Sequence, residues 1–183
     1  QFMALRKSTV EEAWPGDIVG LPDNGIFKIG DTLTEGDMLH FRGLPSFSPE
    51  LFKYIENDDP MKSKQFQKGL EQLMNEGVAQ LFVNQFNNRR IVGTVGQLQF
   101  EVIQYRLEHE YNARCRWEPV HLHKACWIEA DSEEELERFK KRKYQYMAKD
   151  IEGRDVFLAD SGYVLSMAQQ DFEHVKFHFT SEF

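Results

Sequence analysis

Cysteine is scarce in this chain: Cys115 and Cys126 are the only two in 183 residues. Two cysteines give no disulfide framework for a protein of this size, and a reducing cytoplasm is the compartment that fits. No apolar run approaches the roughly 20 residues that cross a bilayer, so a membrane partner is not expected. The opening Gln1-Phe2-Met3 has neither the charged nor the apolar region of a signal peptide, and a chain that opens mid-pattern is expected to be a piece of a longer one. Positive charge is also short. Thirty Asp and Glu against 22 Lys and Arg leave a net charge of −8 and a pI of about 5.3. That excludes coating of DNA or RNA through bulk electrostatics, though not a local basic patch or a protein partner. G-x-x-x-x-G-K-[ST] is absent, so the backbone nest and the lysine that hold nucleotide phosphates are missing. No internal repeat or low-complexity stretch is visible.

What is present is a full complement of core-formers. Hydrophobic residues make up 41% of the chain and include 15 Phe, enough to fill a core rather than line a sparse one. A Gly/Pro/Ser break at Arg42-Gly43-Leu44-Pro45-Ser46 divides the chain. Before it, short β-like pieces at Asp17–Leu21, Ile26–Gly30 and Asp31–Thr34 alternate with turns. They read as the end of a truncated β-barrel domain over residues 1–43.

After the break, residues 44–183 read as one α/β domain. Phe47–Ile55 is extended. Asp59-Pro60 opens a helix through Phe66, Leu70, Leu73 and Met74, closed at Gly77. Val78–Phe86 and Arg90–Val95 form a hairpin around Asn87-Asn88. Gly96 opens a second helix with Phe100, Ile103, Leu107 and Tyr111 on one face, widened by Leu98 and Val102. Ala113–Trp117 is the fourth strand. The order β-α-β-β-α-β over 47–118 predicts an α+β, ferredoxin-like sheet with its helices on one face. Residues 119–183 extend it with strands at Ala125–Glu129, Asp155–Ala159 and Val175–Phe179 and helices starting at Ser132 and Val164. Whether that extension enlarges the first sheet or adds a layer stays open at this level.

Candidate chemistry is thin, and no catalytic residue is assigned. Gly93-Thr94-Val95-Gly96 resembles a phosphate turn only superficially and reads as a tight strand-to-helix connection. His121, His123 and Cys126 are the best metal candidate. A strand would put the two histidines on one side and Cys126 on the other, and a fourth ligand at useful spacing is absent, so core or exposed histidines are the better reading. Cys115 stands between Arg114 and Arg116, cations that favour thiolate, yet no base is spaced to activate it. The acidic run Glu133–Glu137 reads as a solvated helix face. Basic residues suited to contact phosphate or an acidic protein are Arg89 and Arg90 at the hairpin tip and the run Lys140, Lys141, Arg142 and Lys143. That run equally well complements the negative end of its helix. An RNA-recognition motif shares the βαββαβ order, but Arg90–Val95 lacks its aromatic platform.

Gly96-Gln97-Leu98-Gln99-Phe100-Glu101 after a hairpin resembles a turn in the third domain of elongation factor G. The longer pattern Gly93-x-Val95-Gly96-x-Leu98-Gln99-Phe100 is closer to the bacterial release factor 3 family of translational GTPases. That resemblance extends over Pro15–Leu21, Ile29–Leu33, Phe41–Glu50, Lys68-Gly69-Leu70-x-Gln72-Leu73-x-x-Glu76-Gly77, Arg106-Leu107-x-x-Glu110-Tyr111 and the tail from Leu158 to Phe177. One departure is Glu173-His174, where relatives tend to carry Pro. The resemblance implies a parent with an N-terminal GTPase domain, which would hold the GTP and Mg, a barrel, and this non-catalytic C-terminal part without cofactor of its own. It implies a role at the ribosome, in helping to remove class I release factors, with contact to the small subunit, including a protein near the decoding centre. The acidic surface fits a basic ribosomal protein better than rRNA. Against it stand a stand-alone protein-binding module and a metal enzyme built on His121, His123 and Cys126.

Overall fold

The computed structural model describes residues 10–22, 32–37, 39 and 48–181. The expected strand Ile26–Gly30 and the break at Arg42–Ser46 lie outside them. Asp17–Leu21 and Thr32–Thr34 lie inside and are not strands. Ile18, Val19, Leu21 and Leu33 stay exposed, beside a local turn in which the Asp17 amide donates to the Trp14 carbonyl at 2.9 Å and the Trp14 amide to Asp17 Oδ2 at 2.8 Å.

Residues 51–178 form an α+β fold: β1 (Leu51–Asn57), α1 (Ser63–Asn75), β2 (Gln80–Asn84), β3 (Arg90–Thr94), α2 (Gln97–Glu110), β4 (Cys115–Pro119), β5 (Lys124–Ala130), α3 (Glu133–Arg142), β6 (Met147–Asp150), β7 (Asp155–Ala159), α4 (Gly162–Asp171) and β8 (Val175–His178). The strands make one antiparallel sheet in the order β4-β1-β3-β2-β6-β7-β5-β8. The extension therefore enlarges the first sheet. Each half runs β-α-β-β-α-β, and the two halves meet where β2 pairs β6, Val83 opposite Lys149. The structure thus contains a repeat of topology that left no trace in the residues, because the same chain path needs only the same alternation of apolar positions and not the same side chains.

Local signals explain the boundaries. Asp59 accepts from the Met61 amide as a cap, but Pro60 opens a single 3₁₀ turn and the α-helix starts only at Ser63. Gly77, at φ 70°, closes α1, and the Val78 amide still bonds the Leu73 carbonyl, so β2 begins at Gln80 rather than at Val78. Ser132 Oγ accepts from the Glu135 amide at 3.3 Å, as the S-x-x-E spacing predicts for α3. Leu98 and Val102 do not widen the buried face of α2. They are 71% and 47% exposed, while Phe100, Ile103 and Leu107 are buried.

Alternation along the strands sorts the core. Ile55, Leu81 and Val92 face α1 and α2, and Cys126, Met147 and Phe157 face α3 and α4. Since Val83 and Lys149 are directly paired, both helix pairs lie on the same side of the sheet. The opposite side holds a third cluster drawn from both halves: Phe52, Phe82, Ile91, Trp127, Val156 and Leu158. No helix covers it. It is buried because the sheet curls onto itself. β4 and β5 stand six strand spacings apart, roughly 29 Å in a flat sheet. Only residues 120–123 connect them, a reach of at most about 18 Å. The Phe82 and Trp127 rings accordingly come to 5.8 Å across the concave side, and Val120 and Leu122 of the connection pack there too.

Candidate functional site

The hairpin tip and the end of α3, some fifty residues apart in sequence, meet at one end of the β2–β6 seam. Asn84 organises the junction. Its Oδ1 accepts from the amides of Phe86 (2.9 Å) and Asn87 (3.2 Å), and its Nδ2 donates to the Gln145 carbonyl at 3.4 Å. The Gln85 amide donates to the Met147 carbonyl at 2.8 Å, which continues the ladder past the end of β2. Tyr144 Oη donates to the Gln85 carbonyl at 3.1 Å, and its ring meets Phe86 edge to face at 5.9 Å. Both rings remain exposed, Phe86 by 63% and Tyr144 by 51%. Asn88 sits at φ 55°, a left-handed position that Asn tolerates better than most residues, and so turns the chain toward β3.

The six cations named from sequence are treated differently by the fold. Arg89 bonds Glu56 at 2.7 Å and also Glu118, and lies over the Tyr54 ring at 3.7 Å, so its charge is neutralised within the protein. Arg90 lines a groove of about 420 Å³ between α1 and the seam, with Gln67, Glu71, Asn75 and Asp150. Lys140 bonds Glu137 at 2.8 Å and lies 3.4 Å from Asp155, which holds its ammonium more firmly protonated than usual. Lys143 lies 3.7 Å from Asp171. Lys141 and Arg142 are exposed and make no ion pair among the described residues. These two cations stand three and two residues before Tyr144 in the chain. Neither 84–90 nor 140–147 contains an Asp or Glu.

The other sequence candidates resolve into structure. Cys115 is not activated: burial, then Glu108 and Asp58, push its thiol up to about 12, and the nearby Arg114 turns outward to Glu108 at 3.2 Å. Cys126 is pushed up to about 12 by burial in the α3–α4 core. His121 and His123 precede β5 rather than lying in it, so the expected alternation about a strand does not apply. Among the described residues no three His, Cys, Asp or Glu side chains gather to hold a metal. At the Gly93–Gly96 turn, Gln99 Oε1 accepts from the amides of Val95 (2.8 Å) and Gly96 (2.9 Å), the groups a phosphate would need there. Gly93 is required for another reason, since a Cβ would stand 2.8 Å from Pro49 Cβ and 3.1 Å from Phe82.

Sequence reasoning missed Asn84, Phe86 and Tyr144. An Asn closing a strand before a Phe-Asn-Asn turn was the available signal for the first. The two rings carried none, since aromatic residues beside strands ordinarily enter the core.

The sequence motifs converge as well. Glu76 of the first and Arg106 and Glu110 of the second form one ion-pair network across α1 and α2, and Gly69 lets the Tyr111 ring approach the helix backbone. No helix among the described residues is long and apolar enough to cross a membrane. Compared with known protein families, residues 1–36 match the model of elongation factor G domain 2, and residues 41–169 match that of the class II release factor RF3, C-terminal domain. With that second match spanning well over half of its length, the chain belongs to the class II release factor RF3 family and is part of a translation factor.

Proposed function

We propose that this chain is the ribosome-engaging C-terminal part of a termination factor whose parent uses GTP to release class I release factors from the ribosome. In this reading it acts in the cytoplasm, contains no active site of its own, and leaves GTP and Mg to a GTPase domain elsewhere in the parent. Membership of the family carries the role. The single structural observation that carries the location is the convergence of the hairpin tip with Tyr144 and Gln145, just after the exposed Lys141 and Arg142, in an otherwise acidic molecule. A small local basic rim contacts phosphate or an acidic partner without the penalty of bulk repulsion across a whole face. The test is co-sedimentation of the chain with ribosomes at low salt. Lys141→Glu/Arg142→Glu should reduce the bound fraction several-fold, with the difference shrinking as salt rises. Equal sedimentation of variant and parent chain at low salt would refute the location, and calorimetric binding of GTP to the isolated chain would refute its assignment as non-catalytic.

A second reading, a module that binds a basic protein, rests on the exposed side of α2. Leu98, Val102 and Tyr105 form an apolar stripe at helical spacing, with Glu101 between them. An acidic, partly apolar strip suits a basic protein surface. Loss of sedimentation with Val102→Glu, but not with the charge reversal above, would favour this reading.

A further inference from the structure

We infer that the rim formed by Phe86, Tyr144, Lys141 and Arg142 is a stacking site for unpaired RNA bases, not a patch that merely neutralises charge. This deepens the ribosome-engaging reading and rests on it. Three observations carry the inference. The two rings are exposed yet held: Phe86 follows an Asn84-capped turn, and Tyr144 is pinned through its hydroxyl to the Gln85 carbonyl. Their edge-to-face contact at 5.9 Å and 81° sets the two ring planes nearly perpendicular, so they cannot cover one another as a stacked pair would. The Tyr144 hydroxyl is already engaged, which leaves the ring, and not a polar handle, for a partner. Lys141 and Arg142 lie three and two residues before Tyr144 in the chain, exposed and outside any ion pair among the described residues, and so supply cations for a backbone phosphate close in sequence to the ring. Single-strand binding in general combines an aromatic surface for bases with cations tracking the backbone. A duplex hides its base faces and would meet only the cations. An acidic peptide could satisfy the cations but gains nothing from two flat rings.

The experiment uses the chain with a short, unstructured, fluorescein-labelled single-stranded RNA, read by fluorescence anisotropy. A duplex of the same length and an oligo-glutamate peptide serve as competitors. Phe86→Ser and Tyr144→Ser should each weaken single-strand binding roughly five-fold or more, with thermal unfolding close to that of the parent chain because both rings are exposed. Tyr144→Phe, which keeps the ring, should retain most of the binding and so separates stacking from removal of the hydroxyl bond. Lys141→Gln/Arg142→Gln should weaken binding and flatten its salt dependence by about 0.7 for each phosphate no longer neutralised. Equal competition by duplex, better competition by oligo-glutamate, or unchanged affinity in both Ser variants would overturn the inference. Failure of stacking is distinguishable from failure of the location. If the charge reversal abolishes ribosome sedimentation while the Ser variants sediment normally, the rim stands as a charge contact and the stacking site falls. If neither matters, the location itself falls.

Discussion

Gly69→Ala tests the close approach of α1 to the end of α2. Alanine is ordinarily the better helix residue by about 1 kcal/mol, so an exposed α1 position would gain from the change. At Gly69 a Cβ would lie 2.6 Å from Tyr111 Cγ, 2.8 Å from its Cδ2 and 2.9 Å from Leu107 Cδ2. Ordinary carbon contacts sit near 3.5–4 Å, so the ring must retreat by about 1 Å. The contacting atom is at the root of the Tyr111 ring and cannot swing aside as a flexible side-chain end would. Overpacking of this kind costs about 1–3 kcal/mol. Set against the gain in helix propensity, the net loss is about 1 kcal/mol, a fall in Tm of about 2–4 °C for a chain of this size. In a Tyr111→Ala background the ring is gone and only the mobile end of Leu107 remains. There Gly69→Ala should be neutral or stabilising, so the effect changes sign, with a coupling of about 1–2 kcal/mol in the double-mutant cycle. Urea unfolding of the four proteins reads this as shifts of midpoint at constant slope. Equal upward shifts in both backgrounds would refute the close-approach argument.

Asp150 offers a sharper loss. Its carboxylate accepts from Trp127 Nε1 at 2.9 Å, from Arg154 Nε at 2.8 Å and from the amides of Glu152 and Arg154, with its side chain 6% exposed. Asp150→Ala strands these donors and should cost about 3 kcal/mol by urea unfolding. Phe139→Ala removes a buried ring in edge contact with Phe157, Phe172 and Phe177 and should cost about 3–5 kcal/mol. Burial pushes both thiols up to about 12, so a thiol reagent at pH 8 should label the half-buried Cys115 slowly and the buried Cys126 only as fast as the chain opens. Rapid labelling in the native state would contradict their burial. Arg116 and then Arg89 depress Glu56, and Arg106 depresses Glu110, below the ordinary 4.5. A depressed carboxylate contributes stability at neutral pH that is lost as pH falls below 4.5 through the lower folded-state value. Arg106→Gln should therefore blunt the acid-induced fall in Tm.

Legibility followed the strength of local patterning. β7 was read from sequence at its observed bounds, because Asp155–Ala159 is short, apolar and closed by turn residues. The helix ends at Ser132 and Gly77 were visible because their chemistry is local. β6 was not visible. Met147-Ala148-Lys149-Asp150 has neither length nor a β-branched residue, and is a strand because β2 and β7 flank it. The two apolar sides of α2 misled the periodicity, since Leu98 and Val102 repeat at helical spacing as well as Phe100 and Ile103 do. At the rim, the cations could be named from sequence but not sorted. That Arg89 is consumed by Glu56 and Glu118 while Lys141 and Arg142 stay available depends on strand neighbours no local rule supplies.

The β2–β6 seam has a consequence for how the chain reaches its native state. Among the described residues every strand pairing but the seam lies within one half, and the hairpins β2–β3 and β6–β7 join residues 6 to 13 apart. The seam joins residues 64 to 68 apart, and the Phe82–Trp127 contact also crosses between halves. Close pairings form at little loop-closure cost, and distant ones wait until that cost is met. The halves are thus competent to organise separately and then close, with the short connection over 120–123 keeping each at high effective concentration to the other. A half-closed molecule would expose the edge of β2 and one wall of the concave core to solvent, which is the form most open to mispairing with another chain.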